Sequence, residues 1–464
     1  MEKNVRPFGI KDKLGYMFGD FGNDFSFIFA GSYLMIFYTK VLGFSGTVVG
    51  TLFLCARLVD AFTDITMGRI VDRVKPSKDG RFRPWIRRMS IPVVVSSCLM
   101  YLYFVKDWPY AAKLAYAVVT YILWSCFCYT GINIPYGSMA SVLSPEASDR
   151  AALSTFRSVG ACLAGVFIGV VAPLVIYQTD ANGNQVVNPV NLTLTVIVLG
   201  VLALICFVLC YFLCLERVSF DKKESQQIGF REMFRGLTEN RALLALVASA
   251  LLLLLASMLG QAMNNYLFFD YFKNAKLLSI VNVIGVAGVL ILAPFSAKIT
   301  QKFGKKEVGS AGMLLAGVTY LTLFFLRVRS VPVFIAFFLI GTIGMGAFNL
   351  VIWAYITDII DYQEICTGRR EDGTIYAVYS FSRKLGQALA GGLGGFVLTA
   401  IGYVSEATSQ SEVVSERIYT ISTLVPGICY LLVFLVMWFL YPLSKRVVEE
   451  NAAVLRKKRT KEIS

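Results

Sequence analysis

Three charged side chains stand inside one long apolar run of this sequence. Arg57, Asp60 and Asp64 lie in ARLVDAFTDITMGRIVDR, residues 56–73, which opens within a hydrophobic stretch beginning near Phe44. On a helix, residues three and four apart share a face, about one turn between neighbours. A charge near the centre of a bilayer costs roughly 2.5–3.5 kcal/mol on insertion scales, so such residues face a partner or a water-filled path rather than lipid. Two carboxylates against one guanidinium leave one negative charge to be neutralised. A proton or a small cation is the natural guest, and the expected chemistry is reversible cation binding.

Other polar residues occur singly in similar surroundings. Asp20 and Asp24 in YMFGDFGNDFSF are four apart. Asp20 falls near the end of its apolar run, where solvation suffices; Asp24 lies deeper and is expected to line a cavity. In CYTGINIPYGSM, Asn133 precedes Pro135, whose missing N–H can free a carbonyl deep in the membrane. Arg157 in LSTFRSVGACLAG sits about one turn inside its run. It either snorkels to the surface, pairs with a carboxylate of the first two spans, or binds a solute. Trp353 in GAFNLVIWAYITDIIDYQE is read as a stacking surface for a sugar face or as an interfacial anchor. Arg383 and Lys384 are adjacent, so they point about 100° apart on a helix and at most one faces a cavity centre. Asn264, Asn265 and Asn282 read as helix–helix hydrogen-bonding residues.

The elements that position these residues are membrane helices. Of 464 residues, 56% are hydrophobic and only 16% charged, against about 25% charged in soluble domains; the mean hydropathy is +0.64. Apolar blocks alternate with short basic segments, the pattern of a polytopic helical membrane protein. Twelve spans are expected, at 14–38, 44–68, 88–106, 110–136, 152–177, 192–214, 240–268, 278–299, 307–327, 332–360, 374–402 and 420–442. Alternate connections, with both ends of the chain, hold 32 of the 44 lysines and arginines, so both termini are expected in the cytoplasm. The net charge of +14 is thereby a topogenic signal and asks for no nucleic acid. No removable leader is expected.

A polar stretch divides the chain. The expected organisation is a six-helix bundle at 1–215, a cytoplasmic linker at 216–239, a second six-helix bundle at 240–442 and a basic tail at 443–464. Arg456–Lys461 in that tail suits anionic lipid or plain solvation. The segment 177–191, YQTDANGNQVVNPVN, reads as an irregular outer cap. The chain has no histidine, which removes histidine proton relays and histidine metal sites. Ten cysteines lie in apolar runs except Cys366, placed in a loop; Cys206, Cys210 and Cys214 form a helical stripe read as packing rather than a metal site. There is neither metal-ligand spacing nor a nucleotide-binding loop, so no enzyme activity, cofactor or bound metal is expected. No soluble signalling domain is present either, which weighs against a membrane sugar sensor.

The spacing of Gly68, Asp72 and Arg73 resembles the signature of the major facilitator superfamily, with a gating role or a solvated turn as the two readings. More specifically, ARLVDAFTD, GRFRPW, INIPYGS, and SFSRKLGQ after TGRREDGTIY resemble the glycoside–pentoside–hexuronide:cation symporters, from Lys13 to the YPLSK at 441–445. The resemblance implies an all-α membrane protein with twelve transmembrane helices in two six-helix bundles, a sugar or sugar acid as cargo, and a co-transported cation. It implies cation-site roles for Asp60, Asp64, Thr130 and Asn133. It implies sugar contacts at Asp24, Tyr129, Arg157, Trp353, Ser380 and Lys384, with Arg57, Asp72, Arg73 and Arg383 as charge partners or gating residues. A bacterial cytoplasmic membrane and a monomer follow from it. Where the melibiose-transporting branch has an acid, this chain has Asn133; losing that carboxylate weakens a sodium site and favours proton coupling. The Arg383–Lys384 pair is closer to the glucuronide-transporting branch and suits an anionic sugar, whereas Asp24 would repel one. Sodium coupling to a neutral glycoside or pentoside is the competing reading, and animal relatives of the same fold that move lysolipids supply another.

Overall fold

The computed structural model describes residues 6–74, 76–144, 146–181, 185–217, 240–367, 372–407 and 409–463. Nearly all of them are helical. The elements of the first half are α1 (Ile10–Phe29), α2 (Gly46–Arg73), α3 (Arg83–Leu99), α4 (Tyr110–Ile122), α5 (Thr130–Leu143), α6 (Ala147–Ile176) and α7 (Pro189–Leu213). Those of the second are α8 (Arg241–Tyr266), α9 (Leu278–Phe303), α10 (Lys305–Leu326), α11 (Val331–Thr367), α12 (Asp372–Ala400), α13 (Glu412–Leu435) and α14 (Lys445–Ile463). A π-wound stretch, Leu123–Tyr129, joins α4 to α5 without a break. Counting that pair as one and leaving α14 aside, twelve long helices are described, matching the twelve expected spans. Among the described residues, eight helical segments are long and apolar enough to cross a membrane by length and composition. The other four are α1, α2, α9 and α12. Large apolar rings such as Phe62, Phe212, Phe325 and Phe439 stay more than half exposed, which suits contact with acyl chains.

The chain divides into two compact units. The first comprises Met1–Glu224 with Phe268–Asn282 and Gly392–Ser411; the second comprises Ser225–Leu267, Val283–Gly391 and Glu412–Ser464. In the first, α1 packs between α6 and α7. Gly15, Gly19 and Gly22 of α1 meet Cys214, Cys210 and Cys206, and a Cβ at Gly19 would stand 2.9 Å from Cys210 Sγ. The cysteine stripe is thus one side of a small-residue contact that lets two helices approach closely. Closer still is the contact of Gly46 and Gly50 on α2 with Gly392 and Gly395. Backbone there meets backbone, leaving no rotamer able to make room for a side chain.

Polar tethers fix the ends of these helices. Glu216, just beyond α7, accepts hydrogen bonds from the backbone N–H groups of Arg81, Phe82 and Arg83 at 2.7–2.8 Å. A carboxylate thereby caps the unsatisfied donors at the start of α3 and meets the positive end of its dipole. Gly80, at φ +110°, makes the preceding turn and leaves space that the Glu216 carboxylate fills. Beside it, fully buried Asp12 is held by Arg6 at 3.0 Å and Arg217 at 2.9 Å. Glu216→Ala is expected to lower the thermal midpoint of the purified protein, at a cost of roughly 1–3 kcal/mol for the orphaned donors; a midpoint unchanged within error would contradict this capping role.

Three sequence expectations are corrected. Segment 177–191 is not an irregular cap: Tyr177–Thr179 pairs antiparallel with Gln185–Val187, in the register Tyr177 to Val187. Its alternating backbone ladder is hidden by the turn-forming residues between. Cys366 is not in a loop; α11 continues past the expected span to Thr367 and carries Cys366 exposed on its last turn. The added turns are anchored inside the second unit, where Gln363 accepts from Asn240 at 2.7 Å; just before them Lys305 pairs with Asp358 at 2.6 Å. Asp20, read as solvated, is buried. The linker expected at 216–239 lies, beyond Arg217, outside the described residues. The basic tail forms helix α14.

Candidate cation and solute site

The first unit gathers α1, α2, the α4–α5 helix and α6 around the charged residues picked out in the sequence. On α2, Arg57 Nη1 lies 3.6 Å from Asp60 Oδ2, and both side chains are largely buried. The guanidinium also lies over the Phe27 ring of α1, 5.3 Å from its centroid, a cation–π contact. Ser125 Oγ donates to Asp60 Oδ2 at 2.5 Å, and Thr130 Oγ1 donates to Asp64 Oδ1 at 2.9 Å. Asp60 Oδ1 is buried with no hydrogen-bond partner among the described residues. A buried carboxylate oxygen in that condition carries a large desolvation cost until a proton or cation meets it.

The π-wound stretch explains how one helix serves both acids. Ser125 and Thr130 are five residues apart, so on a regular α-helix they would point well away from each other. In a π turn the repeat is i to i+5, and Thr130 Oγ1 also reaches the Ser125 carbonyl at 3.3 Å. Both hydroxyls therefore face α2. Cys126 Sγ, in the same stretch, reaches the Ala56 carbonyl at 3.7 Å. Ser125 was not singled out by sequence, because the α-helical period places it off the Thr130 face; its only signal is a hydroxyl in the apolar run LWSCFCY.

Tyr129 extends the site toward α1. Its ring stacks on Phe27 at 5.3 Å and lies 5.4 Å from Trp124. Arg57, Phe27, Tyr129 and Trp124 form one column between the acids of α2 and the segment bearing Asp24. Asn133, one turn past Thr130, is half-buried. On α6, Arg157 Nε donates to Asp20 Oδ1 at 2.8 Å and stands 5.5 Å from the Tyr136 ring centroid. Of the three roles open to Arg157, pairing with a first-span carboxylate is present, through Asp20 rather than Asp24. Asp24 is half-buried and makes no hydrogen bond or ion pair among the described residues. Asp20, Asp24, Asp60 and Asp64 thus lie in one unit, where Arg57 pairs with Asp60 and Arg157 with Asp20.

The second unit holds the remaining residues. Trp353 lies on α11 and Ser380 and Lys384 on α12, but their side chains fall outside the described residues, as do those of Asp72 and Arg73 at the end of α2. Arg383 is described: it is half-buried and lines a cavity of about 220 Å³ with Ser257, Asn349 and Tyr379. A cluster missed by sequence lies elsewhere in the first unit. Lys40 sits over the Tyr403 ring at 4.7 Å and donates to the Ala407 carbonyl at 3.0 Å, while Tyr403 donates to buried Asp270 at 3.0 Å. Only the fold brings those distant segments together.

Residues 15–445 match the family model described as MFS/sugar transport protein. The chain belongs to this family. Among its relatives is the glucuronide carrier protein homolog of Escherichia coli K12, 30% identical over 440 residues and covering 94% of this chain and 93% of its own length. An uncharacterized symporter, YjmB, of Bacillus subtilis 168 is 32% identical over 436 residues, covering 94% of this chain and 93% of its own. A bacterial homolog of the human lysosomal transporter Spinster, in an inward-facing and unoccupied conformation, superposes with a TM-score of 0.64 at 14% identity, covering 93% of this chain and 96% of its own. As a family member the protein is a multi-pass membrane transporter of the major facilitator fold, and not an enzyme.

Proposed function

We propose that the protein imports a glycoside or hexuronide together with a proton, by alternating access of two helix bundles. The observation that carries the coupling is the arrangement on α2. Asp60 and Asp64 lie one turn apart, Arg57 pairs with Asp60, and Asp60 Oδ1 is buried without a hydrogen-bond partner among the described residues. A carboxylate oxygen buried away from water gains a partner when a cation arrives, so the pair binds one cation before the solute-loaded form can turn. Ser125 and Thr130 hold the second oxygen of each acid in place.

A proton suits this set better than sodium. Hard cations ask for charged oxygen ligands, and the residue one turn from Thr130 is the neutral amide Asn133. The solute then binds to Asp24, Tyr129 and Arg157; the family resemblance adds sugar-contact roles for Trp353, Ser380 and Lys384. Proton entry makes the site electrically quieter, which permits reorientation. A 30%-identical relative named as a glucuronide carrier homolog supports a sugar acid as cargo. The distribution of lysines and arginines supports a bacterial cytoplasmic membrane with both termini inside.

Purified protein in proteoliposomes, given a panel of glycosides and uronides, tests this reading. A pH gradient imposed alone is expected to drive accumulation. Accumulation driven by a sodium gradient at uniform pH would replace the proton by sodium and favour a neutral glycoside or pentoside. Binding without accumulation under either gradient would reject symport and favour a sensor.

A further inference from the structure

Between α9, α10 and α11 of the second unit lies a groove of about 190 Å³. Ile299 of α9, Ala311 and Leu315 of α10, and Ala347 of α11 are among the residues along it. Every described residue lining it is apolar or glycine except Thr300. Its floor is the contact of Gly312 with Gly344. A Cβ on Gly312 would stand 2.5 Å from the Gly344 carbonyl oxygen and 2.9 Å from Ala347 Cβ, so the floor admits no side chain that could fill the groove. Ala311 and Leu315, at the rim, are exposed. Pockets that enclose a small molecule measure roughly 300–1,000 Å³. This narrower one suits a stretch of a single hydrocarbon chain.

The charge at one end decides what carries that chain. Ile299 lies in the last turns of α9, between Lys298 and Lys302, and both lysines are exposed. Four residues apart, they share one side of the helix. Neither makes an ion pair among the described residues; Lys302 lies over the Phe303 ring. The lysines that follow are engaged: Lys305 pairs with Asp358, and Lys306 donates to the Tyr441 carbonyl, each at 2.6 Å. Glu307, the acid nearest in sequence, accepts from the backbone N–H of Lys445 at 3.4 Å. The distribution of lysines and arginines reads this end as cytoplasmic. We propose that the groove binds the acyl chain of an anionic phospholipid whose phosphate is held by Lys298 and Lys302. Basic recesses between membrane helices on that side collect anionic headgroups, and an ammonium meets a phosphate as a point charge. A free phosphate would satisfy the lysines and leave the groove empty. A zwitterionic lipid would fill the groove and set its own cation against the lysines. Only an anionic lipid answers both.

The test is nondenaturing mass spectrometry of the full chain in detergent, with dioleoyl phosphatidylglycerol and dioleoyl phosphatidylcholine supplied in equal amounts. Wild-type protein is expected to retain phosphatidylglycerol in preference. One lysine beside an anionic headgroup adds about fivefold in affinity. Lys298→Gln with Lys302→Gln is therefore expected to lower the preference roughly ten- to thirtyfold, toward parity. Both side chains are exposed, so the fold should stand, and an unchanged thermal midpoint in detergent checks that it does. Ala311→Trp fills the groove from its rim and is expected to remove one retained lipid, whichever headgroup it carries. Equal retention of the two lipids by the wild type would overturn the proposal, as would a preference that survives in the lysine variant. Retention unchanged in Ala311→Trp would place the lipid outside the groove and overturn it too. A dimer without retained lipid in the wild type, lost in Ala311→Trp, would give the groove to a second copy of the chain instead.

Discussion

Asp60→Asn and Asp64→Asn are each expected to reduce gradient-driven accumulation to near equality across the membrane. A gradient of one pH unit acting on one co-transported proton is worth about 1.4 kcal/mol, which is roughly tenfold accumulation; the variants forfeit that factor. The amide keeps the size of the acid, so the change tests charge rather than packing. Asn at 60 still accepts from Ser125, whose hydroxyl reaches Oδ2 at 2.5 Å, and Asn at 64 still accepts from Thr130. What is lost is the negative charge that a proton must cancel before the carrier turns. Sugar counterflow, which needs no net coupling, should therefore outlast accumulation in at least one of the two. Accumulation persisting in both variants would refute the cation role of this pair. Loss of counterflow and accumulation together in both, with a lowered thermal midpoint, would show a structural role instead.

The charged face of α2 was legible because it depends on one helix alone: Arg57, Asp60 and Asp64 are three and four residues apart, and the helical period does the rest. Apolar blocks likewise mark the spans, since a bilayer imposes a minimum length on each. Legibility ended where one segment had to meet another or depart from the regular period. Ser125 was hidden by its π turn. Asp20 was read as solvated because the sequence cannot say that α6 crosses α1 at its level. Glu216 carries no local mark of a cap, because the donors it serves are more than 130 residues earlier. Tyr403, Asp270 and Lys40 meet only through packing within the first unit. The cavity beside Arg383 draws on three helices, so adjacency to Lys384 was all the sequence offered for it.

Arg157→Gln is expected to destabilise the protein by roughly 1–3 kcal/mol, because it leaves the Asp20 carboxylate buried without its partner. A fully buried pair costs 3–5 kcal/mol when one member is removed. The lower figure applies because the Arg157 side chain is 43% exposed and can be replaced in part by water, whereas Asp20 is only 7% exposed. The double variant Asp20→Asn with Arg157→Gln removes both charges and is expected to recover most of the lost thermal midpoint. Transport separates the two roles assigned to Arg157. If it also contacts the sugar, the recovered double variant should still show KM for uptake raised about tenfold or more, since a charge-assisted hydrogen bond to the solute is gone. A double variant that regains both stability and wild-type KM would confine Arg157 to holding α6 against α1. A double variant as unstable as the single one would show that the 2.8 Å contact contributes through its hydrogen-bond geometry and packing rather than through its charge balance.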